Sequence, residues 1–292
     1  STNTGIWTKG TANLYDCSLL RGATGGGTDY GFNYNITIDN DLTVGAGCDF
    51  ASNTEWKRPT IVGDVLLSGT FQRDIPAAYD ITLGSLTIAA GGRYYAPVSS
   101  KSTIITNEIA YWPIDNLGGT FTHNDGTVEI TTDTNTIIKG MDGTDATNTL
   151  YNLVCNLGND AYRLLLRPSG STNTIAGNLT VVQGMFQPET NTQSLTVSGN
   201  VIVSGGHLNG YSAARTGADN YGSLTIDAGA SGTATTGVTT ITSENGSFAL
   251  DSDGTFTHND GTVNISTPGG TTVDLNGDTF YNLIISGSET VT

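Results

Sequence analysis

The stretch GSLTIAAG, residues 84–91, decides the fold, because it combines a short strand with a tight corner. Successive side chains of a β-strand point to opposite faces, so Leu86 and Ile88 share one face and Thr87 lies on the other. The small residues that follow, ending in Gly91, give the backbone the freedom that a corner needs. The stretch therefore predicts a short strand with one apolar face, followed by a turn.

The same form recurs along the chain. Each copy begins with a small or polar residue, continues with a triplet of the apolar–Thr–apolar kind and ends in a glycine turn. The copies are DLTVGAG (41–47), GDVLLSG (63–69), GNLTVVQG (177–184), GNVIVSG (199–205) and GSLTIDAG (222–229). Their starts are separated by 63 − 41 = 22, 84 − 63 = 21, 199 − 177 = 22 and 222 − 199 = 23 in sequence number. This spacing is typical of one coil of a β-solenoid. We therefore predict an all-β, elongated parallel β-solenoid, right-handed, with about 21–23 residues per coil.

A longer repeat contains these coils. The decapeptide GTFTHNDGTV occurs at 119–128 and again at 254–263, so its offset is 254 − 119 = 135. GSLTI returns at an offset of 222 − 84 = 138, and Tyr-Asn-Leu of 151–153 returns at an offset of 281 − 151 = 130. The order is kept while the offset drifts, which indicates insertions and deletions in loops. We infer an internal repeat, each copy being about 135 residues long, that covers 84–158 and 222–287.

The two ends of the chain follow the pattern less well. Residues 21–40 contain a glycine cluster, so we predict that 1–40 form an irregular cap or joining segment and that the solenoid covers 41–292. At the other end, FYNLIISGSETVT (280–292) breaks off partway through a coil. We expect an open edge there that pairs with another subunit or continues into a longer chain.

Alternation within the strands assigns the core. Thr127-Val128-Glu129-Ile130 and its counterpart in the second copy alternate in the same way as GSLTI. The predicted inward residues are Leu86, Ile88, Val128, Ile130, Leu224, Ile226, Val263 and Ile265. Cys155 takes the position of Ile285, which predicts a buried thiol acting as a small hydrophobe.

Charge and cysteine content narrow the function classes. The formal charge of −16, from 27 acidic and 11 basic residues, repels phosphate backbones and anionic membranes, and argues against nucleic-acid binding. No apolar run reaches the length of a membrane span, so we expect no membrane insertion. Three cysteines without metal-ligand spacing exclude a disulfide-dense scaffold. A Cys17–Cys48 bridge between neighbouring coils stays open as an alternative.

The decapeptide offers the first candidate site, because His123 and Asp125 are mirrored by His258 and Asp260. Asn-Asp-Gly is a turn signal, and the two copies would lie about six coils, roughly 30 Å, apart. A structural corner therefore outweighs an active site. The motifs GHG and Arg-x-Lys, typical of solenoid enzymes that cut acidic glycans, do not occur. We predict no catalytic residue.

Two further stretches suggest binding functions. Asp251-Ser252-Asp253-Gly254 begins like a calcium loop but lacks the glutamate at the twelfth position, so we expect no cofactor and only incidental calcium at acidic corners. Arg93, Tyr94 and Tyr95 form an aromatic and basic cluster whose rings are suited to stacking on sugars. For Trp112, which falls close to Phe248 of the second copy, we favour a core position.

The coils GNLTV and GSLTI, together with GTFTHNDGTVNI and TFYNLIISGS, resemble parallel β-helix repeats of phage structural proteins, including tail fibres. They are similar, too, to microbial surface adhesins and extracellular filaments. The resemblance covers residues 36–292 and implies an extracellular, cell-surface or virion component that self-associates. We therefore expect a non-enzymatic structural protein, a rigid segment of a filament or fibre that assembles through its ends. A glycan-binding adhesin or receptor-binding fibre, and a polysaccharide-cleaving enzyme, are the alternatives.

Overall fold

The computed structural model describes residues 12–20, 28–30, 36–50, 59–71, 79–107, 111–141, 148–168, 170, 172–210 and 215–286. These residues form an all-β structure without a helix, in which parallel sheets stack as a β-solenoid of about 10 turns, as the sequence predicts. The right-handed sense of the coils stays a prediction. The chain divides into two compact units. Of the described residues, the first unit contains those up to Thr132, Ile138–Gly140 and 148–149, and the second contains Asp133–Ile137, Met141 and those from Leu150 onward.

The described residues before position 150 form the strands of the first unit, except that the last strand, β17, is divided between the two units. They are β1 (Ala12–Leu14), β2 (Cys17–Leu19), β3 (Thr28–Tyr30), β4 (Ile36–Ile38), β5 (Leu42–Val44), β6 (Cys48–Phe50), β7 (Pro59–Ile61), β8 (Asp64–Leu67), β9 (Thr70–Phe71), β10 (Ile81–Leu83), β11 (Ser85–Ala89), β12 (Arg93–Tyr95), β13 (Ser102–Ile105), β14 (Ile114–Leu117), β15 (Thr120–Thr122), β16 (Thr127–Ile130) and β17 (Thr136–Lys139).

In the first unit the chain visits three faces in turn, and each face is a parallel sheet. The first face contains β1, β4, β7, β10, β13 and β16. The second contains β2, β5, β8, β11, β14 and β17. The third contains β3, β6, β9, β12 and β15. The register neighbours Leu42, Val65 and Leu86 differ in number by 65 − 42 = 23 and 86 − 65 = 21, which is the coil length read from the sequence.

The described residues after position 150 form the remaining strands. They are β18 (Asn152–Asn156), β19 (Arg163–Arg167), β20 (Thr172–Ile175), β21 (Leu179–Gln183), β22 (Met185–Pro188), β23 (Ser194–Val203), β24 (His207–Leu208), β25 (Asp219–Ile226), β26 (Ser231–Thr233), β27 (Val238–Ile241), β28 (Phe248–Ser252), β29 (Thr255–Thr257), β30 (Thr262–Ile265), β31 (Thr272–Asp274) and β32 (Asn282–Ile285).

The second unit also has three faces, which are numbered here within that unit, and β23 and β25 are long enough to run along two of them. The first face contains β20, the first halves of β23 and β25, β27, β30 and β32. The second contains β18, β21, the second halves of β23 and β25, β28 and β31. The third contains β19, β22, β24, β26 and β29. The two GSLTI stretches lie in different sheets: β11 lies in a sheet with β8 and β14, whereas the second half of β25 lies in another sheet with β21 and β28.

The N-terminal boundary differs from the prediction. Strand β1 pairs in parallel with β4, and β2 pairs with β5, so the described part of 1–40 already belongs to solenoid coils rather than to an irregular cap. Cys17 and Leu19 are buried and Ser18 is exposed, which is the same alternation as in the later coils. The sequence pattern missed it because Leu20 and Arg21, rather than a glycine, directly follow this strand.

The interior consists of stacked apolar columns. All eight residues assigned to the core lie inward, with relative exposures of 3% or less. Cys155 is also buried, and burial raises the pKa of its thiol far above the usual value, which keeps it protonated and unreactive.

The cysteine bridge is not present. Cys17 lies in β2 on the second face, beside Leu42, whereas Cys48 lies in β6 on the third face, beside Thr28. Both are buried thiols. Their separation in sequence number, 48 − 17 = 31, does not equal a coil length, so stacking does not bring the two side chains into register.

Candidate functional site

The duplicated decapeptide forms a corner between the third and first faces. In the first copy, the Asp125 amide donates to Nδ1 of His123 at 2.9 Å, and the Gly126 amide donates to the His123 carbonyl at 2.8 Å. Asn124 and Asp125 have φ angles of 47° and 58°, in the left-handed region that Asn and Asp tolerate best. The histidine thus acts as an acceptor that closes the turn.

The second copy reproduces these contacts. The Asp260 amide lies 3.0 Å from His258 Nδ1, and the Gly261 amide lies 3.0 Å from the His258 carbonyl. A Cβ at Gly261 would lie 1.9 Å from the Thr235 carbonyl oxygen of the preceding coil, so only glycine fits. The geometry of the turn explains why the histidine, the Asn-Asp pair and the glycine occur in both copies. The duplication therefore does not indicate a shared catalytic function.

A ladder of polar side chains follows the corner between the first and second faces of the first unit. Asp16 Oδ1 accepts from the Asp41 amide at 3.3 Å, and Asp41 Oδ1 accepts from the Asp64 amide at 2.9 Å. Asp64 Oδ1 accepts from the Ser85 hydroxyl at 2.8 Å. Each of these hydrogen bonds joins one coil to the next. The polar residue at the start of each GSLTI-type stretch therefore holds adjacent coils together.

The second unit has the same ladder in amide form. Asn152 Oδ1 accepts from the Asn178 amide at 2.8 Å, and Asn178 Oδ1 accepts from the Asn200 amide at 2.8 Å. Asn200 Oδ1 accepts from the Ser223 hydroxyl at 2.9 Å. Ser85 and Ser223 are both fully buried, so each hydroxyl depends on its ladder partner.

Strand β12 places the residues of the predicted glycan-binding cluster on opposite sides, with Tyr94 inward and Arg93 and Tyr95 outward. Tyr94 is fully buried, and its ring stacks between Phe71 and Phe121 with centroid separations of 5.3 and 5.4 Å. Its hydroxyl lies 2.8 Å from Thr103 Oγ1, and burial raises the pKa of the phenol well above its usual value. The prediction that Tyr94 contacts a glycan is therefore wrong. Arg93 is exposed and Tyr95 half-buried, and for these two the prediction stands.

Trp112 is half-buried rather than a core residue, and so is Phe248. The Lys139 ammonium lies 4.1 Å from the centroid of the Trp112 ring, a cation–π contact. The same ammonium lies 3.1 Å from the Asp115 carboxylate, whose side chain is only 7% exposed. The core assignment of Trp112 is thus corrected: the ring covers an ion pair at the edge of the second face.

Sequence reasoning missed a buried polar cluster around Arg215 and Asp219, which are 1% and 0% exposed. The guanidinium binds the carboxylate with two bonds of 2.8 Å and also donates to the Asn209 amide oxygen and the Gln193 carbonyl. The Tyr221 hydroxyl donates to Asp219 at 2.7 Å. Burial, followed by the nearby carboxylate, raises the pKa of Tyr221 well above its usual value.

The cluster is a structural element, because its charges are satisfied within the core. The Asp219 carboxylate accepts from Arg215, Tyr221, Asn209 and the Leu195 amide, which compensates its desolvation. The sequence carries one signal of it. Asp219 and Tyr221 stand where Ile81 and Leu83 stand in the first copy, at the GSLTI offset (219 − 81 = 138; 221 − 83 = 138).

A histidine–serine pair lies on the third face of the second unit. His207 Nδ1 and Ser231 Oγ are 2.6 Å apart, joining β24 to β26. A catalytic pair of this kind also needs a group that orients the second ring nitrogen and donors for an oxyanion. Among the described residues this is the one hydrogen bond of the His207 side chain, so the pair acts as another link between coils.

The calcium-like stretch lies in an acidic patch. Asp251 and Asp274 are register neighbours on adjacent coils, with Asp227 and Asp253 nearby. Desolvation, and then repulsion from these three carboxylates, raises the pKa of Asp251. No group of three or more His, Cys, Asp or Glu side chains in the described ranges is arranged to hold a metal ion. Incidental calcium stays a prediction.

Comparisons with protein-family models, with curated proteins and with solved structures give no match. In the part of the chain that the structure describes, no helix is long and apolar enough to span a membrane.

The corner ladder predicts different outcomes for two substitutions at one position. Asp64→Ala removes the acceptor of the buried Ser85 hydroxyl, and we expect a loss of about 1–2 kcal/mol in the free energy of unfolding. Asp64→Asn keeps an acceptor like that of Asn200 and should change stability by less than about 0.5 kcal/mol. Urea unfolding followed by circular dichroism measures both. Equal losses for the two variants would mean that the hydrogen bond between residue 64 and the Ser85 hydroxyl contributes nothing to the free energy of unfolding.

The acidic patch predicts that neutralising Asp251 increases thermal stability, by an amount that depends on pH and salt. Because the folded-state pKa of Asp251 is raised, its carboxylate penalises the folded state at neutral pH, and the penalty disappears as the pH falls through that pKa. Asp251→Asn should therefore raise the melting temperature at pH 7 by about 1 °C, less at high salt or low pH. Asp260→Asn, at an exposed corner, is the control. A gain that is independent of pH and salt would exclude the repulsion.

Proposed function

We propose that this chain is a non-enzymatic structural protein, a rigid β-solenoid subunit or segment of an extracellular filament or virion fibre. One observation carries the proposal. The polar residues that recur along the sequence bind the chain's own neighbouring coils. The Asp and Asn ladders and the buried serines are used in this way, and the corner histidines bind the backbone of their own turns. Recurrence of the sequence thus maintains the stacking of coils.

The surface charge supports an exposed, soluble setting for such a segment. With a net charge of −16, neighbouring fibres repel one another sideways, and lateral aggregation of the sheets is disfavoured. Lengthwise contact depends instead on the backbone hydrogen bonds of a strand edge, which carry no net charge.

Strand β32 supports assembly through such an edge. It pairs with β30, and Leu283, Ile284 and Ile285 are 42%, 49% and 36% exposed. Their register partners on the inner side, Val263 and Ile265, are 2% and 0% exposed. We propose that a strand of a second copy adds in parallel to β32 and buries Leu283 and Ile285, so that the apolar columns of the core continue into the second copy.

The joint is tested with matched lysine variants. An inward-pointing charge on an edge strand opposes strand addition, so Leu283→Lys should abolish concentration-dependent filaments in electron microscopy and light scattering. Leu117→Lys, at a residue that is 50% exposed on β14, should leave filaments unchanged.

Two results would overturn the joint. Filaments formed equally by the wild type and Leu283→Lys would show that assembly does not use β32. A loss of thermal stability in Leu283→Lys, without any change in assembly, would mean that β32 is covered from within its own chain.

A glycan-binding fibre is the second candidate, and the outer face of β12 favours it. Arg93 and Tyr95 project to the same side of the strand, and their register neighbours Thr70, Thr120 and Thr122 surround them with hydroxyls. A ring beside hydrogen-bonding groups is suited to a sugar. On a glycan array, Tyr95→Ala should lose any signal that Tyr15→Ala, at a remote exposed tyrosine, retains. Equal signals for both variants would exclude this face.

A further inference from the structure

The Tyr-Asn-Leu strand of the first copy, β18, shows how such a strand receives the coil that follows it. Asn152 Oδ1 accepts from the Asn178 amide at 2.8 Å, and the Tyr151 carbonyl accepts from the Gly177 amide at 2.7 Å. The Leu153 amide donates in return to the Asn178 carbonyl at 2.9 Å. These bonds fix the register of the following strand, β21, through groups that belong to the Tyr-Asn-Leu motif.

Strand β32 contains the same motif at an open edge. Tyr281, Asn282 and Leu283 are the counterparts of 151–153 (281 − 151 = 130), and among the described residues β32 pairs with β30 alone. The Tyr281 and Leu283 side chains are 59% and 42% exposed, whereas Tyr151 is half-buried and Leu153 is fully buried. The contacts of β18 therefore serve as a template for the strand that adds to β32.

The template specifies the form of the incoming strand. Leu153 and Cys155 are the register neighbours of Leu179 and Val181. The incoming strand thus has two inward apolar residues, separated by one outward residue. Directly ahead of them stands a polar ladder residue, Asn178, whose amide donates to the earlier coil. A strand that joins β32 in the same way must combine these features in this order.

Strand β2 has this form and stands at the opposite edge of the described coils. Among the described residues, β1, β2 and β3 are the terminal strands of the three sheets of the first unit. In β2, Cys17 and Leu19 are buried and Ser18 is exposed, and Asp16 stands directly ahead of them. Asp16 is the first residue of the corner ladder. Its side chain accepts from the Asp41 amide, so its own amide faces the other way, toward an earlier coil. Neither β1 nor β3 follows a residue of this ladder.

Two exposed tyrosines would meet if β2 took the place of β21. Tyr15 and Tyr281 each stand directly before the ladder residue of their strand, and their side chains are 72% and 59% exposed. A side chain is compatible with this position, because Asn40 stands there ahead of Asp41, whose amide lies 3.3 Å from Asp16 Oδ1. Contact between the two rings would remove a large apolar area from water.

We propose that the strand added to β32 is β2 of a second copy, placed so that Asp16 lies opposite Asn282; this inference rests on the end-to-end assembly proposed above. The Asp16 amide donates to Asn282 Oδ1, and the corner ladder continues from one copy into the next. The two inward residues of β2 lie beside Leu283 and Ile285 and cover them. Asn282 is neutral, so the joint adds no carboxylate beside Asp16 in a protein whose net charge is −16.

Cysteine cross-linking tests the register without altering the core. Ser18 and Ile284 both face outward, and in the proposed joint they are register neighbours from two copies. Neighbours on adjacent strands lie about 4.8 Å apart, within the roughly 4.4–6.8 Å between Cα atoms that a disulfide spans. Filaments of the double variant Ser18→Cys/Ile284→Cys, once oxidised, should give a series of covalent multimers on a non-reducing denaturing gel. The three native cysteines are buried.

The matched control is Thr43→Cys/Ile284→Cys. Thr43 is the register neighbour of Ser18 one coil farther from the joint, so this variant should assemble and remain monomeric on the gel.

The outcomes separate this joint from the proposed function. If the unaltered protein forms no filaments, the end-to-end assembly falls and the joint falls with it. If filaments form but the Ser18→Cys/Ile284→Cys variant gives no multimers, or no more than the control, assembly uses another pair of strands and only the assignment of β2 is overturned. A disulfide closed within one chain would also overturn it, because β32 would then be covered by its own chain.

Discussion

Every feature of this molecule depends on the parallel hydrogen-bonded ladder between successive coils. The ladder fixes which residue of one coil lies beside which residue of the next, and the two are one coil length apart in the sequence where no insertion intervenes. Columns follow from it, because a residue and its register neighbours share one environment. Apolar residues form continuous inward columns, and the aromatic stack of Phe50, Phe71, Tyr94 and Phe121 is one of them.

The parallel backbone ladder also explains why the sequence at the corners is constrained. At a corner the chain leaves one sheet, and its polar backbone groups need partners elsewhere. The Asp and Asn ladders supply acceptors from the neighbouring coil, and the histidine of the decapeptide supplies one from within the turn. Glycines at the same places permit close approach, as at Gly261. Identical sequence in the two copies thus reflects identical local geometry.

The two copies of the repeat differ at several positions of the core. Gly232 stands where Tyr94 stands in the first copy (232 − 94 = 138), and the second copy has an aspartate at 219 that binds the buried Arg215 and a tyrosine at 221 that donates to this aspartate. Breaking such a buried pair by removing one partner typically costs about 3–5 kcal/mol, so the group persists as a unit. A polar interior of this kind is compatible with a structural role because it is closed by the chain itself.

The sequence alone determined the coil length, the three-part form of each strand and the inward positions of residues such as Leu86 and Ile226, because strand alternation and glycine corners are local properties. Tertiary structure decided what depends on distant partners. Tyr94 lies inward because Phe71 and Phe121 stack on it from adjacent coils, and Cys17 and Cys48 stay apart because they belong to different faces. Arg215 is buried because Asp219, Asn209 and the Gln193 carbonyl converge on it. Charged residues are ordinarily exposed, and only the stacked coils provide the hydrogen bonds that compensate the desolvation of this one.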